Sequence, residues 1–324
     1  MRNIFIDPHF GNVFQKHPLT LLDVGASGGI SNKWKRAERY LRVVGFEPDK
    51  RAFEGLKAKS NASQRFLNTA LHDKNDVLKL NLTEGQANSS IFTPNESFLE
   101  QFPDKQRFEI VGSVDLNAKR LTQQMLADEG IRDADFLKVD TQGGELFILQ
   151  GANDLLEDLL FGIEVEVEFV PIYREQPLFS DVDKLLQEKG FQLFDLRRYY
   201  WKREVGAGIR MVKGQLIFAD ALYLKSYEAF LRAISGLNVE QKQAKILKAI
   251  SICLVYRMYD YALYLCDRAV KDNILEKTEK EIIFKSISKR MTRFSFRGQG
   301  RLAKFLYKLH LYLKSDRFYF VDEE

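Results

Sequence analysis

The chain has little of what stapled, membrane-spanning or metal-built proteins need. It holds two cysteines in 324 residues, Cys253 and Cys266, both in helix-like sequence. Two thiols so placed give no disulfide framework, and the expectation is a reducing, cytoplasmic setting. No apolar run approaches the ~18 residues that span a bilayer. The first residues, Met1 to Pro8, lack an apolar stretch with a small-residue cleavage site, so no signal peptide is expected. No histidine-rich or cysteine-rich spacing supports a metal site, and none is expected.

Charge is modest in sum and uneven in distribution. The net charge is +4, but from Lys225 onward 20 Lys and Arg face 12 Asp and Glu, which is +8 and leaves −4 for the rest. An acidic larger part without an Asn/Asp-Pro-Pro-Tyr motif argues against nucleic acid as a partner. The basic remainder could meet an anionic glycan, the inner face of a membrane, nucleic acid or a protein partner, unless it is simply a solvated helical surface.

What is present is alternation. Strands are predicted at 19–24, 41–46, 64–71, 77–82, 135–139, 162–169, 191–197 and 216–224. Helices are predicted between them at 32–40, 51–60, 121–129 and 181–189, with residues 1–18 as a lead-in and 83–108 as a long loop with some helix. This pattern predicts an α/β fold, a Rossmann-like, doubly wound, mostly parallel sheet over residues 1–225. After Ser226 strand signals largely stop, and residues 226–324 read as a basic, all-helical extension with helices at 241–259, 261–271, 276–291 and 301–314. The last of these carries Leu302, Phe305, Leu306 and Leu309 on one face, with Arg301, Lys304 and Lys308 elsewhere. Such a stripe packs in a core or lies on a membrane, and core packing is the expectation.

Three points along the α/β part carry chemistry. The first is the turn Asp23-Val24-Gly25-Ala26-Ser27-Gly28-Gly29 after the first strand. Its glycines let backbone approach a ligand. It lacks the middle glycine of the dinucleotide fingerprint, and Asp23 would repel a pyrophosphate. Asp23, Gly25, Ala26, Ser27 and Gly28 suit a ligand with an amine and a sulfonium, as in S-adenosylmethionine. The second point is Glu47-Pro48 after the next strand, where an acid suits ribose hydroxyls. The loop at Ala70-Leu71-His72-Asp73 would then meet the adenine, and His72 is a candidate base.

The third point is Asp140-Thr141-Gln142-Gly143-Gly144-Glu145, a carboxylate and a glycine turn at the end of a strand, the edge where open α/β sheets bind ligands. Asp140 is the first candidate for a general base, or it orients the cofactor's amine. Glu145 sits where it would stabilise a helix N-terminus. In the next strand Glu164, Glu166 and Glu168 alternate with Ile163, Val165 and Val167, so three carboxylates share one face. That face is wet, or cations such as Arg197 compensate it. Glu166 and Glu168 approach the cleft and are the further catalytic candidates.

With these residues in place, the chain resembles the FkbM family of S-adenosylmethionine-dependent methyltransferases over roughly Leu19 to Leu224. The resemblance is carried by Leu22-Asp23-Val24-Gly25-Ala26, by Val44-Gly45-Phe46-Glu47-Pro48, and by Phe136-Leu137-Lys138-Val139-Asp140 with Gly143, Glu145, Leu149 and Gly151-Ala152. It departs from the family where the usual acidic-glycine pair is Gln142-Gly143 and where a Leu-Asp pair is Leu121-Thr122. The resemblance implies a class I methyltransferase sheet and O-methylation, commonly of a sugar hydroxyl in a glycan or a glycosylated small molecule.

Three functions compete at this point. One is O-methylation of a sugar during assembly of a surface polysaccharide, for which the Tyr199-Tyr200-Trp201-Lys202-Arg203 segment offers rings to stack on sugars, unless it is a packed hairpin edge. Another is O-methylation of a secondary metabolite, which a deep apolar pocket would favour. The third is a non-enzymatic module that binds a partner through its basic helices.

Overall fold

The computed structural model describes residue 4, residues 7–207, residue 209, residues 214–288, 300–302, 304–306, 309 and 319–322. Strands β1 (Leu19–Val24), β2 (Leu41–Phe46), β3 (Gln64–Leu67), β4 (Ala70–Leu71), β5 (Asp76–Thr83) and β6 (Ile110–Lys119) come first. Then follow β7 (Phe136–Val139), β8 (Gly162–Glu168), β9 (Phe191–Trp201), β10 (Gln215–Lys225) and β11 (Tyr319–Asp322). Helix α1 (Pro8–Lys16) opens the chain. Between the strands lie α2 (Lys50–Lys57), α3 (Glu96–Leu99), α4 (Gln123–Asp128), α5 (Glu145–Gly151), α6 (Asn153–Asp158) and α7 (Phe179–Glu188). After β10 come α8 (Tyr227–Ala233), α9 (Val239–Val255), α10 (Tyr259–Lys271) and α11 (Lys277–Ser288).

The main sheet runs β11-β9-β10-β8-β7-β1-β2-β3. The run from β3 to β8 is parallel, whereas β10 is antiparallel to β8 and β9 is antiparallel to β10. This is the expected Rossmann-like sheet, and its order reverses between β1 and β7, the place where such sheets bind ligands. The C-terminal region supplies the expected helices and one addition. Tyr319–Asp322 pairs antiparallel with the outer edge of β9.

One face of the sheet is apolar throughout. Leu22, Val24, Leu137, Val139, Ile163, Val165 and Val167 pack there with Ile148 and Leu149 of α5 and Leu186 of α7. The other face changes character along the strands. Near the N-terminal ends of the parallel strands Leu19, Leu21, Val43 and Phe136 lie under α1, α8, α9 and α10. Toward their C-terminal ends it becomes charged. The register sets Asp23 beside Lys138 and Lys138 beside Glu164, then Glu166 beside Asp220 and Asp220 beside Arg197. The three glutamates of β8 share this charged face, and Glu164 is paired with Lys33.

Four expectations are corrected. The lead-in is a helix, capped where Asp7 accepts the His9 amide at 3.0 Å and started by Pro8. The helix expected at 32–40 is two 3-10 turns, Asn32–Arg36 and Glu38–Tyr40. There Trp34 meets Phe136 and Tyr256, the latter at the end of α9. The strand expected at 64–71 breaks at Asn68, whose side-chain amide donates to the carbonyls of Glu47 (2.8 Å) and Pro48 (2.9 Å). Its second piece, β4, joins β5 and the unforeseen β6 in a separate sheet, order β4-β6-β5.

The last correction concerns the amphipathic stripe. Leu302, Phe305, Leu306 and Leu309 are 41–62% exposed, where core packing is the expectation. Other residues of the helix expected at 301–314, and residues 289–291, lie outside the described residues. No described helix is long and apolar enough to cross a membrane.

Helix α9 is held by charge as well as by apolar packing. Lys248 Nζ lies 2.6 Å from Asp133 and 2.9 Å from Asp135, and Lys245 Nζ lies 2.8 Å from Asp135 and also pairs with Asp133. Asp135 accepts the Thr20 amide at 2.8 Å as well, so the quartet ties α9 to β1 and to the segment entering β7.

Candidate active site

Two turns meet backbone to backbone at the C-terminal edge of the sheet. Gly25 has φ 81°, and a Cβ there would sit 1.9 Å from the Asp140 carbonyl oxygen. Only glycine admits that approach. The Gly25 amide donates to Phe46 and the Asp140 amide to Val24, both at 3.0 Å, so the ends of β1, β2 and β7 are locked together. The second turn is closed from within by Glu145. Its carboxylate accepts from the Thr141 amide (2.6 Å), the Thr141 hydroxyl (3.1 Å) and the Gly143 amide (2.9 Å). Burial pushes Glu145 up to about 7 against the pull of those donors. Gln142, at φ 60°, is held in the left-handed region, a strained conformation for a residue with a side chain. The Ser90 hydroxyl donates to its carbonyl at 2.6 Å.

Above these turns lies a cavity of about 620 Å³. Gly25, Ser27, Gly28, Glu47, Pro48, Ala70, Leu71 and His72 line it, together with Asp140 and Glu166. Leu78 and Leu80 of β5 and Leu116 of the unforeseen β6 also line it. Two of the predicted cofactor residues stand behind this wall. Ala26 packs under the turn with Leu56 and Phe66. Asp23 is 2% exposed and its Oδ1 accepts no hydrogen bond, with the Lys138 ammonium 3.6 Å away.

Five acids of this edge are raised. Burial lifts Asp23 above the usual carboxylate range against Lys138. It lifts Glu47 to about 6, although Glu47 Oε1 accepts the Asp49 amide at 2.9 Å. Asp220, which accepts the Tyr199 hydroxyl at 3.0 Å, is lifted to about 6 by burial and by Glu164 and Asp140. Glu166 and Glu168 rise well above their ordinary value, by burial first and then by neighbouring carboxylates. Lys138 is raised too, for a different reason. Burial would lower it, but Asp140, Asp23 and Glu164 outweigh that and keep it cationic.

The four catalytic candidates part company in space. Asp140 borders the large cavity and its Oδ2 is 3.3 Å from Lys138 Nζ. His72 lines the same cavity and stacks on Phe147, ring centroids 4.9 Å apart, with Nδ1 2.6 Å from Asp73 but not aligned for a hydrogen bond. Glu168 is buried and lines none of the cavities described here. Glu166 alone of the four lines both the large cavity and a second one beside it.

That second cavity is about 300 Å³ and meets the first at Ala87, Gln142 and Glu166. Its walls include Arg107, Phe108, Tyr199, Tyr200, Trp201 and Phe218. Tyr199 stacks on Phe218 at 4.4 Å, and the Arg107 guanidinium lies 4.8 Å from the Trp201 ring centroid. The aromatic segment read from sequence as a sugar platform or a packed edge thus faces a cavity. Gln142, visible in the sequence only as a departure from a family pattern, is a central residue here. Its Nε2 donates to Glu166 Oε1 at 2.6 Å, and the Tyr173 hydroxyl stands 3.2 Å from its Oε1. Among the described residues no group of three or more His, Cys, Asp or Glu is placed to hold a metal.

A mostly parallel sheet with a cavity at its switch point and acids after β2 and β7 is the ligand-site arrangement of a doubly wound α/β fold. Comparison with known proteins makes this specific. The profile described as "Methyltransferase FkbM domain" matches residues 23–193, just over half of the chain. The chain belongs to this methyltransferase family. Among curated proteins it is similar to methyltransferase sdnD of Sordaria araneosa, 24% identical over an alignment of 195 residues that covers 53% of this chain and 73% of that protein. Among solved structures it is similar to the precorrin-6y C5,15-methyltransferase of Geobacter metallireducens (11% identity, 67% of this chain and 87% of that one, TM-score 0.35). It is also similar to the magnesium protoporphyrin IX methyltransferase of Synechocystis PCC 6803 with bound SAM (12% identity, 67% and 74%, TM-score 0.33).

Proposed function

We propose that the protein transfers a methyl group from S-adenosylmethionine to a hydroxyl, that of a sugar in a surface polysaccharide or other glycan. One observation carries the reading. A single cavity runs from a buried acid after β2 to an acid after β7, and opens beside an aromatic cavity at Glu166.

The residues present fit the cofactor. Glu47 would take the ribose hydroxyls, and the wall at Ala70, Leu71 and His72 would face the adenine. Gly25, Ser27 and Gly28 leave room for the backbone to approach the ligand. Asp140 would meet the amine at the far end, with Asp23 buried behind it. The cofactor supplies a methyl group on a positive sulfur. The chain's part is to align it with the acceptor, which for a bimolecular displacement provides much of the acceleration.

A second reading, methylation of a small secondary metabolite, has one observation in its favour. The second cavity is a small, aromatic-walled space of about 300 Å³. Incubation with methyl-labelled cofactor and two acceptor sets, oligosaccharides and hydroxylated aromatic alcohols, separates the two. The glycan reading requires label on the sugars, and label on the alcohols alone would overturn it.

A further inference from the structure

We propose that the second cavity is the acceptor site, built for one sugar ring at a time, and that Glu166 at its mouth takes the proton from the hydroxyl being methylated. This rests on the methyltransferase reading above and deepens it.

The case for Glu166 is positional. A base must reach the acceptor oxygen while that oxygen faces the methyl group, so it must stand where donor and acceptor spaces meet. Asp140 and His72 line only the donor side, and Glu168 lines neither. Glu166 lines both, and its Oε1 is fixed by the Gln142 amide while its Oε2 accepts no hydrogen bond from the described residues. The amide matters because it only donates at that atom, which favours the carboxylate form. The family pattern puts an acid where Gln142 stands, and an acid there would compete with Glu166 for one proton. Burial and the surrounding carboxylates raise Glu166, which strengthens it as a base.

The case for a single ring is one of size and surface. About 300 Å³ is at the small end of ligand cavities, which run ~300–1,000 Å³. Tyr199, Trp201, Phe108 and Phe218 give flat apolar faces for the C–H faces of a pyranose. Arg107, Gln142 and Glu166 give hydroxyl partners around them. In the step, the acceptor oxygen bonds to the methyl carbon and the carbon–sulfur bond breaks with its pair going to sulfur. The hydroxyl proton passes to Glu166, and S-adenosylhomocysteine leaves neutral at sulfur.

The test uses the full chain, S-adenosylhomocysteine and a panel of methyl pyranosides with the matching oligosaccharides. Wild type is expected to bind S-adenosylhomocysteine and to methylate at least one pyranoside, with kcat rising with pH through an inflection above the ordinary carboxylate range. E166Q is expected to keep S-adenosylhomocysteine affinity, which also reports its folding, while kcat falls ~10²–10⁴-fold and the inflection vanishes. Gln142→Glu is expected to move the inflection to higher pH. W201A is expected to weaken pyranoside binding measured with S-adenosylhomocysteine bound, without changing affinity for the latter. A full rate and an unchanged pH profile in E166Q would overturn the base assignment. Methylation of oligosaccharides with no binding or methylation of any pyranoside would overturn the single-ring site. Failure of the wild-type chain to bind S-adenosylhomocysteine would instead overturn the methyltransferase reading, and this assignment with it.

Discussion

Two groups of buried carboxylates lie at opposite ends of the same strands, and their surroundings set them to opposite tasks. At the N-terminal end Asp133 and Asp135 share two ammonium groups, Lys245 and Lys248. Burial alone would raise Asp133, but the two lysines outweigh it and hold it below the usual carboxylate range. At the C-terminal end the acids outnumber their cations, and Glu47, Glu145, Glu166 and Asp220 are all raised. Matched charge under a helix makes a clamp. Unmatched charge around a cavity makes a site that gains from a cation or gives up a proton-binding preference to chemistry.

The largest expected effect at the unmatched end is the loss of turnover in E166Q described above. At the matched end it is Asp135→Ala, which leaves two buried ammonium groups with one partly exposed acid and removes the acceptor of the Thr20 amide. It is expected to cost ~3–5 kcal/mol, read as a lower denaturant midpoint. The double change Asp135→Leu with Lys248→Met is expected to recover part of that loss, since it removes charge of both signs. A double variant no more stable than Asp135→Ala would argue that the clamp is not electrostatic.

The next effect separates the ends by pH. A carboxyl raised in the folded state is protonated there while the unfolded chain is still ionised. Such groups therefore add stability as pH falls from neutrality toward the ordinary carboxylate range, about 6 being the folded value of Glu47 and Asp220 and about 7 that of Glu145. Asp133 is depressed, so its contribution is present above its unfolded value and lost as pH falls through its folded one. Stability of the cofactor-free chain is expected to rise from pH 7.5 to about pH 5 and then fall, by order of a kcal/mol or more. A monotonic loss of stability below neutrality would contradict the contrast. A smaller effect is expected at an exposed pair. Lys16→Ala, which breaks the contact with the exposed Glu240, should leave the denaturant midpoint essentially unchanged.

How far the sequence reached follows the same division. Strand–turn–strand signals placed Gly25, Glu47 and Asp140 correctly on one edge, because glycine turns and strand ends are local features. The glutamates of β8 were legible as a question, three charges on one face, and the answer needed the register that sets Glu166 opposite Asp220. The period-two pattern of β6 was present at Val114, Leu116 and Ala118, but Gly112 and flanking polar residues blurred it. The Asp133–Lys248 clamp joins residues 115 positions apart, and no local pattern announces it. Nor does one announce that Gln142 faces Glu166, since the side chain's direction depends on a backbone turned to positive φ.

The most direct test of the central claim is calorimetric titration of the full chain with S-adenosylmethionine, S-adenosylhomocysteine and NAD between pH 5 and 8, beside Glu47→Ala. The account predicts saturable binding of the first two and not of NAD, weakening as pH falls below about 6, where Glu47 takes up its proton. It predicts that Glu47→Ala abolishes binding. Binding of NAD, or affinity for the sulfonium cofactor indifferent to Glu47, would contradict it.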